Sequence, residues 1–300
     1  MDDFVRMTSY FSQIAYPHSV ITAINSGVTF PEFLPQRISS YQAEIRLFCQ
    51  LIQNSESSAA LLTWIRTPRA FSADQRMSLL KLFRRCVSTV CDTEATKKIT
   101  KIPTSVFVDN YGYTFKDINL LKQQFSNLSV AHLSALSALL GEYDSRGEQG
   151  YMLTNLFFNW VESYYPNVLR IEGPRGAGRD IQLSDVFPNY EGDFPCDFVI
   201  RDFATNRVLA IGLARYDSTR GGSQSDDRTG GNSDKVTKVQ RFCEETGINL
   251  KLIFLADGPG LVHKDTWEET CRLDNAWNGN VRVTTLQTAP FRLDLHWLMS

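Results

Sequence analysis

The run LKLIFLAD, residues 250–257, is apolar almost without a break. A strand with one solvated face alternates apolar and polar residues, whereas a strand that does not alternate is buried on both faces. The chain must therefore supply apolar helices to two faces of a sheet, which places it in the α/β or mixed α+β class. The helices are legible. DKVTKVQRFCEETG precedes the run, with Gly247 as its stop, and GYMLTNLFFNWVESYY lies upstream, ended by Pro166.

Between those helices stand the short strand patterns VLRIEG, RDIQLS, CDFVIRD and RVLAIGLARYD. DTWEETCRLD predicts a further helix, VRVTTL a last strand and FRLDLHWL a terminal helix. The order is helix, antiparallel strands, helix, parallel strand. The first half reads as helical throughout: SSYQAEIRLFCQLIQ, SADQRMSLLKLFRRCVSTV, INLLKQQF and SVAHLSALSALL carry apolar residues at three- and four-residue spacing, with Ser72 as an N-cap. The expected organisation is a helical N-terminal region over residues 1–146 and an α/β core with a central mixed sheet flanked by helices over residues 147–300.

With 43% hydrophobic residues, 300 residues can bury a substantial core. No apolar run reaches membrane-spanning length, so no membrane partner is expected. The start, MDDFVRMTSYF, is acidic and lacks a basic segment followed by an apolar one, so a cytoplasmic protein without a signal peptide is expected. The six cysteines form no CxxC pair, which points to reduced thiols and away from a zinc site. None of the four histidines stands in a metal-ligand spacing, and GPRGAGRD lacks the GK[ST] of a phosphate loop. The net charge of −2 gives no global sign of nucleic acid, but arginines gather at 170, 175 and 179 and again at 215, 220 and 228.

The stretch DFPCDFVIRDFATNRVLAIGLARYD reads as a hairpin. Matching the apolar sets Phe198/Ile200 and Leu209/Ile211/Leu213 puts Asp197 on the opposite face, with Ala210, Gly212, Ala214 and Tyr216. The carboxylate would then look across at Gly212 or Ala214. A shift by one residue would set Leu213 and Arg215 beside Asp197, at the cost of exposing the apolar set.

The element order, with PCD opening one strand and ARYDSTRGGSQSDDRTGG closing the next, resembles the PD-(D/E)xK nuclease superfamily, most closely type II restriction endonucleases, over residues 147–285. The resemblance implies a sequence-specific double-stranded DNA endonuclease that hydrolyses phosphodiesters with Mg²⁺. It makes Asp197 the first metal ligand, puts Gly212 in the place of the second acid and Ala214 in that of the lysine, and so implies impaired activity. Glu162, Asp180, Asp217, Asp226, Asp227 and Lys235 are the groups that could substitute, Asp180 as a metal ligand beside Asp197. Arg179, Arg215, Arg220, Gln224 and Arg228 are the expected DNA contacts, since Arg reads guanine and Gln reads adenine bidentately. A homodimer is expected, because a two-fold protein matches a near-palindromic site. The alternative is a non-cleaving DNA-binding or specificity subunit.

Overall fold

The computed structural model describes residues 9–25, 28–142, 147–176, 178–218 and 225–300, with side chains from residue 231 onward in the last stretch. The chain forms two compact units, Gly27–Ser145 and Met1–Ser26 together with Arg146–Ser300. The first residues, expected within the helical region, fall in the second of these units. They belong to the α/β unit because Phe11 is fully buried in its core, while Ser9 Oγ and the Tyr10 N–H donate to Asp274 at 3.1 and 2.9 Å.

The helical unit contains α1 (Leu34–Asn54), α2 (Ser58–Arg66), α3 (Ala73–Cys86), α4 (Thr104–Tyr111), α5 (Ile118–Gln124) and α6 (Val130–Gly141). Capping boxes at Ser72 with Gln75 and at Ser129 with His132 start α3 and α6 by satisfying amides that have no partner inside the helix. Ile45, Phe48, Leu61, Leu79, Phe83 and Leu140 are among its core residues. The buried Arg66 donates to the Thr96 and Ile102 carbonyls and to Thr104 Oγ1, so its charge is spent on structure.

In the α/β unit, α7 (Glu148–Tyr164) leads into β1 (Leu169–Glu172), β2 (Phe198–Asp202) and β3 (Val208–Tyr216). Then follow α8 (Ser225–Thr246), β4 (Lys251–Asp257), α9 (Lys264–Leu273), β5 (Val281–Thr284) and α10 (Leu295–Met299). The strands lie side by side in chain order, β1 to β3 antiparallel, with β4 parallel to β3 and β5 parallel to β4. This is a mixed α+β architecture. The segment RDIQLS contributes only Ile181–Gln182, paired with Pro195–Cys196 in a separate two-stranded ribbon. Helix α8 begins at Ser225, about two and a half turns before Asp234, where the sequence pattern started it. Among the described residues no helix is long and apolar enough to cross a membrane.

Both faces of the sheet are covered. Leu153, Phe157, Phe158 and Val161 of α7, with Trp297 and Leu298 of α10, pack on one face against Phe198, Ile200, Ile253 and Leu255. Val236, Val239 and Phe242 of α8 pack on the other against Val199, Ile211, Leu252, Phe254 and Val283.

The hairpin differs from the sequence expectation in register and in face. Phe198 pairs with Gly212, Val199 with Ile211 and Ile200 with Ala210, while Arg201 pairs with Val208. Leu209 is therefore a bulge residue, and the alternation breaks there. Leu209 joins the α7 face, while Ile211 and Leu213 join the α8 face. Asp197, one residue before the paired stretch, donates its N–H to the same Gly212, and helices cover both sides of the sheet, so the apolar residues of both hairpin faces are packed.

Candidate active site

Asp197 is fixed by the backbone of β3. Its N–H donates to the Gly212 carbonyl at 2.9 Å, and its carboxylate Oδ2 accepts the Ala214 N–H at 2.7 Å. It lies on the α8 side of the sheet, with Leu213 and Arg215 of β3. A cavity of about 150 Å³ opens there. Asp197, Arg215, Asp217, Asn232, Lys235 and Glu269 line it over an apolar floor that includes Leu213, Phe254 and Val283.

The two-stranded ribbon brings a second acid to Asp197. Ile181 pairs with Cys196 and Gln182 with Pro195, so Asp180 and Asp197 are the residues next to the ribbon's last pair, near enough for the Asp180 charge to act on Asp197. Burial pushes the Asp197 carboxyl above its ordinary value; the Asp180 charge adds to this, while the Ala214 N–H and the Lys235 ammonium oppose it. The Cys196 thiol is pushed up to about 12, by burial first and then by the charges of Asp197 and Asp180. It donates to the Ile181 carbonyl at 3.2 Å, so Cys196 is a ribbon contact and not a nucleophile.

Lys235 reaches the site from α8. It is half-buried on the cavity wall and makes no ion pair or hydrogen bond among the described residues. Arg215 is committed: its guanidinium is ion-paired with the buried Asp217. The Asp217 backbone is held by the Asp257 carbonyl and by the Gly260 N–H, at 2.8 and 2.6 Å. Gly258, at φ +102°, must be glycine because a Cβ there would stand 2.5 Å from the Asp217 carbonyl oxygen. On α9 the buried Glu269 accepts from Asn232 Nδ2 at 2.8 Å.

No family model, curated protein or solved structure matches this chain. The chemistry of the site therefore rests on its own geometry.

Several expected site residues lie elsewhere. Gly212 lies under Phe198 on the α7 face; Ala214 packs toward that face too, but it borders the cavity and donates its N–H to Asp197. Glu162 does not line the cavity and is ion-paired with Arg175. Arg215 borders the cavity and is ion-paired with Asp217. Arg179 is exposed immediately before Asp180. Arg220 and Gln224 lie outside the described residues, as do the side chains of Asp226, Asp227 and Arg228. Asn232 and Glu269 were missed by sequence reasoning, because nothing in their spacing distinguishes them from ordinary polar helix positions.

Among the described residues no three His, Cys, Asp or Glu side chains gather as a metal centre. Asp180 and Asp197 nevertheless suit Mg²⁺. That ion binds through one or two carboxylates and fills its remaining positions with water and substrate phosphate, so a three-ligand protein cage is not required.

Proposed function

We propose that this protein is a Mg²⁺-dependent endonuclease acting on double-stranded DNA, of the PD-(D/E)xK type and the type II restriction class. One observation carries the reading: Asp197 and Lys235, which has no ion-pair partner among the described residues, line one cavity, and the Asp180 carboxylate stands near enough for its charge to act on Asp197. The order α7, antiparallel β1–β2–β3, α8, parallel β4 supports it. Mg²⁺ held by Asp180 and Asp197 would supply Lewis acidity and lower the pKa of a bound water. Asp197, anchored by the Ala214 N–H, gives the pair its rigid member. Lys235 neutralises a phosphate oxygen and orients the attacking water, work normally done by a strand lysine. A homodimer would present two such sites to the two strands of a near-palindromic sequence.

A second reading has its own observation. Leu213 and Ala214 border the cavity beside Asp197 where a second acid and a lysine would be needed, and Arg215 is ion-paired with Asp217. These favour a DNA-binding or specificity subunit that does not cleave. Digestion of supercoiled plasmid with Mg²⁺ and with chelator separates the two. Mg²⁺-dependent linear product supports the nuclease. Salt-sensitive duplex binding without cleavage supports the second reading, since phosphate contacts weaken steeply with salt.

A further inference from the structure

Glu162 and Arg175 do work that the sequence did not disclose. Asn155, Asn159 and Glu162 lie on one face of α7 at four- and three-residue steps. All three accept from one guanidinium: Arg175 donates to Asn155 Oδ1 at 3.0 Å, to Asn159 Oδ1 at 2.7 Å and to Glu162 in an ion pair. The same guanidinium lies over the Phe158 ring, 5.1 Å from its centroid. Arg175 thus pins the segment that leaves β1 onto α7. Gly173 begins that segment at φ +155°, pressed against the start of β2. A Cβ there would meet the Asp197 carbonyl oxygen at 2.3 Å, Phe158 at 2.9 Å and the Phe198 Cα at 3.2 Å. Asp180 follows five residues after Arg175 in the sequence, next to the ribbon's last pair, Ile181 with Cys196.

We propose that Arg175, gripped by Asn155, Asn159 and Glu162, is a positioning residue that holds the Asp180 segment in register with Asp197. This rests on the reading of Asp180 and Asp197 as the cation-binding pair. Glu162, expected as a site acid, acts in this reading through Arg175. The grip has a chemical logic. Two like charges placed near each other repel, so the ribbon alone would tend to splay before a cation arrives. Three acceptors on a rigid helix oppose that splaying.

The test uses Arg175→Met, which keeps an apolar stem over Phe158, together with Glu162→Gln and Asp180→Asn. Three measurements are made on each full-length protein: amide hydrogen exchange at residues 178–182, the melting temperature, and plasmid cleavage as a function of Mg²⁺. Arg175→Met should speed exchange at 178–182 by about tenfold or more as this local unit opens more readily. Its half-saturating Mg²⁺ should rise about tenfold, as for loss of a residue supporting a metal ligand. The cleavage rate at saturating Mg²⁺ and the melting temperature should stay near those of the parent. A purely structural role would lower melting temperature and maximal rate without moving the Mg²⁺ dependence, and that result overturns the proposal. Unchanged exchange at 178–182 also overturns it, whatever the cleavage result. Accelerated exchange in a protein that cleaves no DNA in any form supports the grip and removes the nuclease reading instead.

Discussion

The ring of Phe198 lies directly on Gly212. A Cβ at Gly212 would stand 1.9 Å from Phe198 Cζ, and the ring has no room to retreat, since Phe157 and Phe158 flank it at centroid distances of 5.1 and 6.1 Å. Glycine in a strand interior is thereby explained by packing, and no lost acid is needed. The site lies on the opposite face of the sheet.

Gly212→Ala should consequently destabilise the protein by about 1–3 kcal/mol through overpacking. Gly212→Glu should fail to fold or lose stability severely, and should gain no cleavage. Introducing Phe198→Ala should reduce the penalty of Gly212→Ala, because the two side chains share one space. Thermal melts of the single and double variants check this; a Gly212→Glu protein that melts normally and cleaves faster would contradict it.

The raised Asp197 carboxyl makes a prediction about pH. Between the ordinary aspartate value and the raised one, the folded protein holds a proton that the unfolded chain has released. Stability of the metal-free protein therefore falls as pH rises through that window. Asp197→Asn should remove this slope and melt higher than the parent at neutral pH without divalent cation. Parallel pH–stability curves for the two proteins would show that Asp197 carries no such strain.

Arg215 and Lys235 should behave differently. Removing Arg215 takes one charged partner from the buried Asp217, so Arg215→Met should cost about 1 kcal/mol in stability. Lys235 has no ion-pair partner among the described residues, so Lys235→Ala should leave the melting temperature nearly unchanged while removing cleavage. A large melting loss in Lys235→Ala would assign that residue to structure.

The non-alternating run at residues 250–257 correctly announced a strand buried on both faces, and the flanking helices were visible from their spacing. That same burial concealed the register of the hairpin. Where both faces are apolar, matching apolar sets carries no parity information, and the bulge at Leu209 inverts whatever parity remains. Asp197 could be read from the sequence as a strand-opening acid. Its partner Asp180 could be named as a candidate, but its place near Asp197 depends on a ribbon of two residue pairs, too short to show periodicity. The start of α8 was hidden by Gly230, Gly231 and Asn232, whose weak helix propensity is overridden in the folded chain.

The most direct measurement is cleavage of supercoiled plasmid by the parent protein, Asp197→Ala, Asp180→Asn and Lys235→Ala at matched protein and Mg²⁺ concentrations, with melts to confirm folding. Mg²⁺-dependent cutting by the parent is expected. It should be abolished in Asp197→Ala and Lys235→Ala, and in Asp180→Asn recoverable in part at higher Mg²⁺. Undiminished cutting by folded Asp197→Ala, or no cutting of any duplex by the parent across the Mg²⁺ range, would contradict a nuclease site built from Asp180, Asp197 and Lys235.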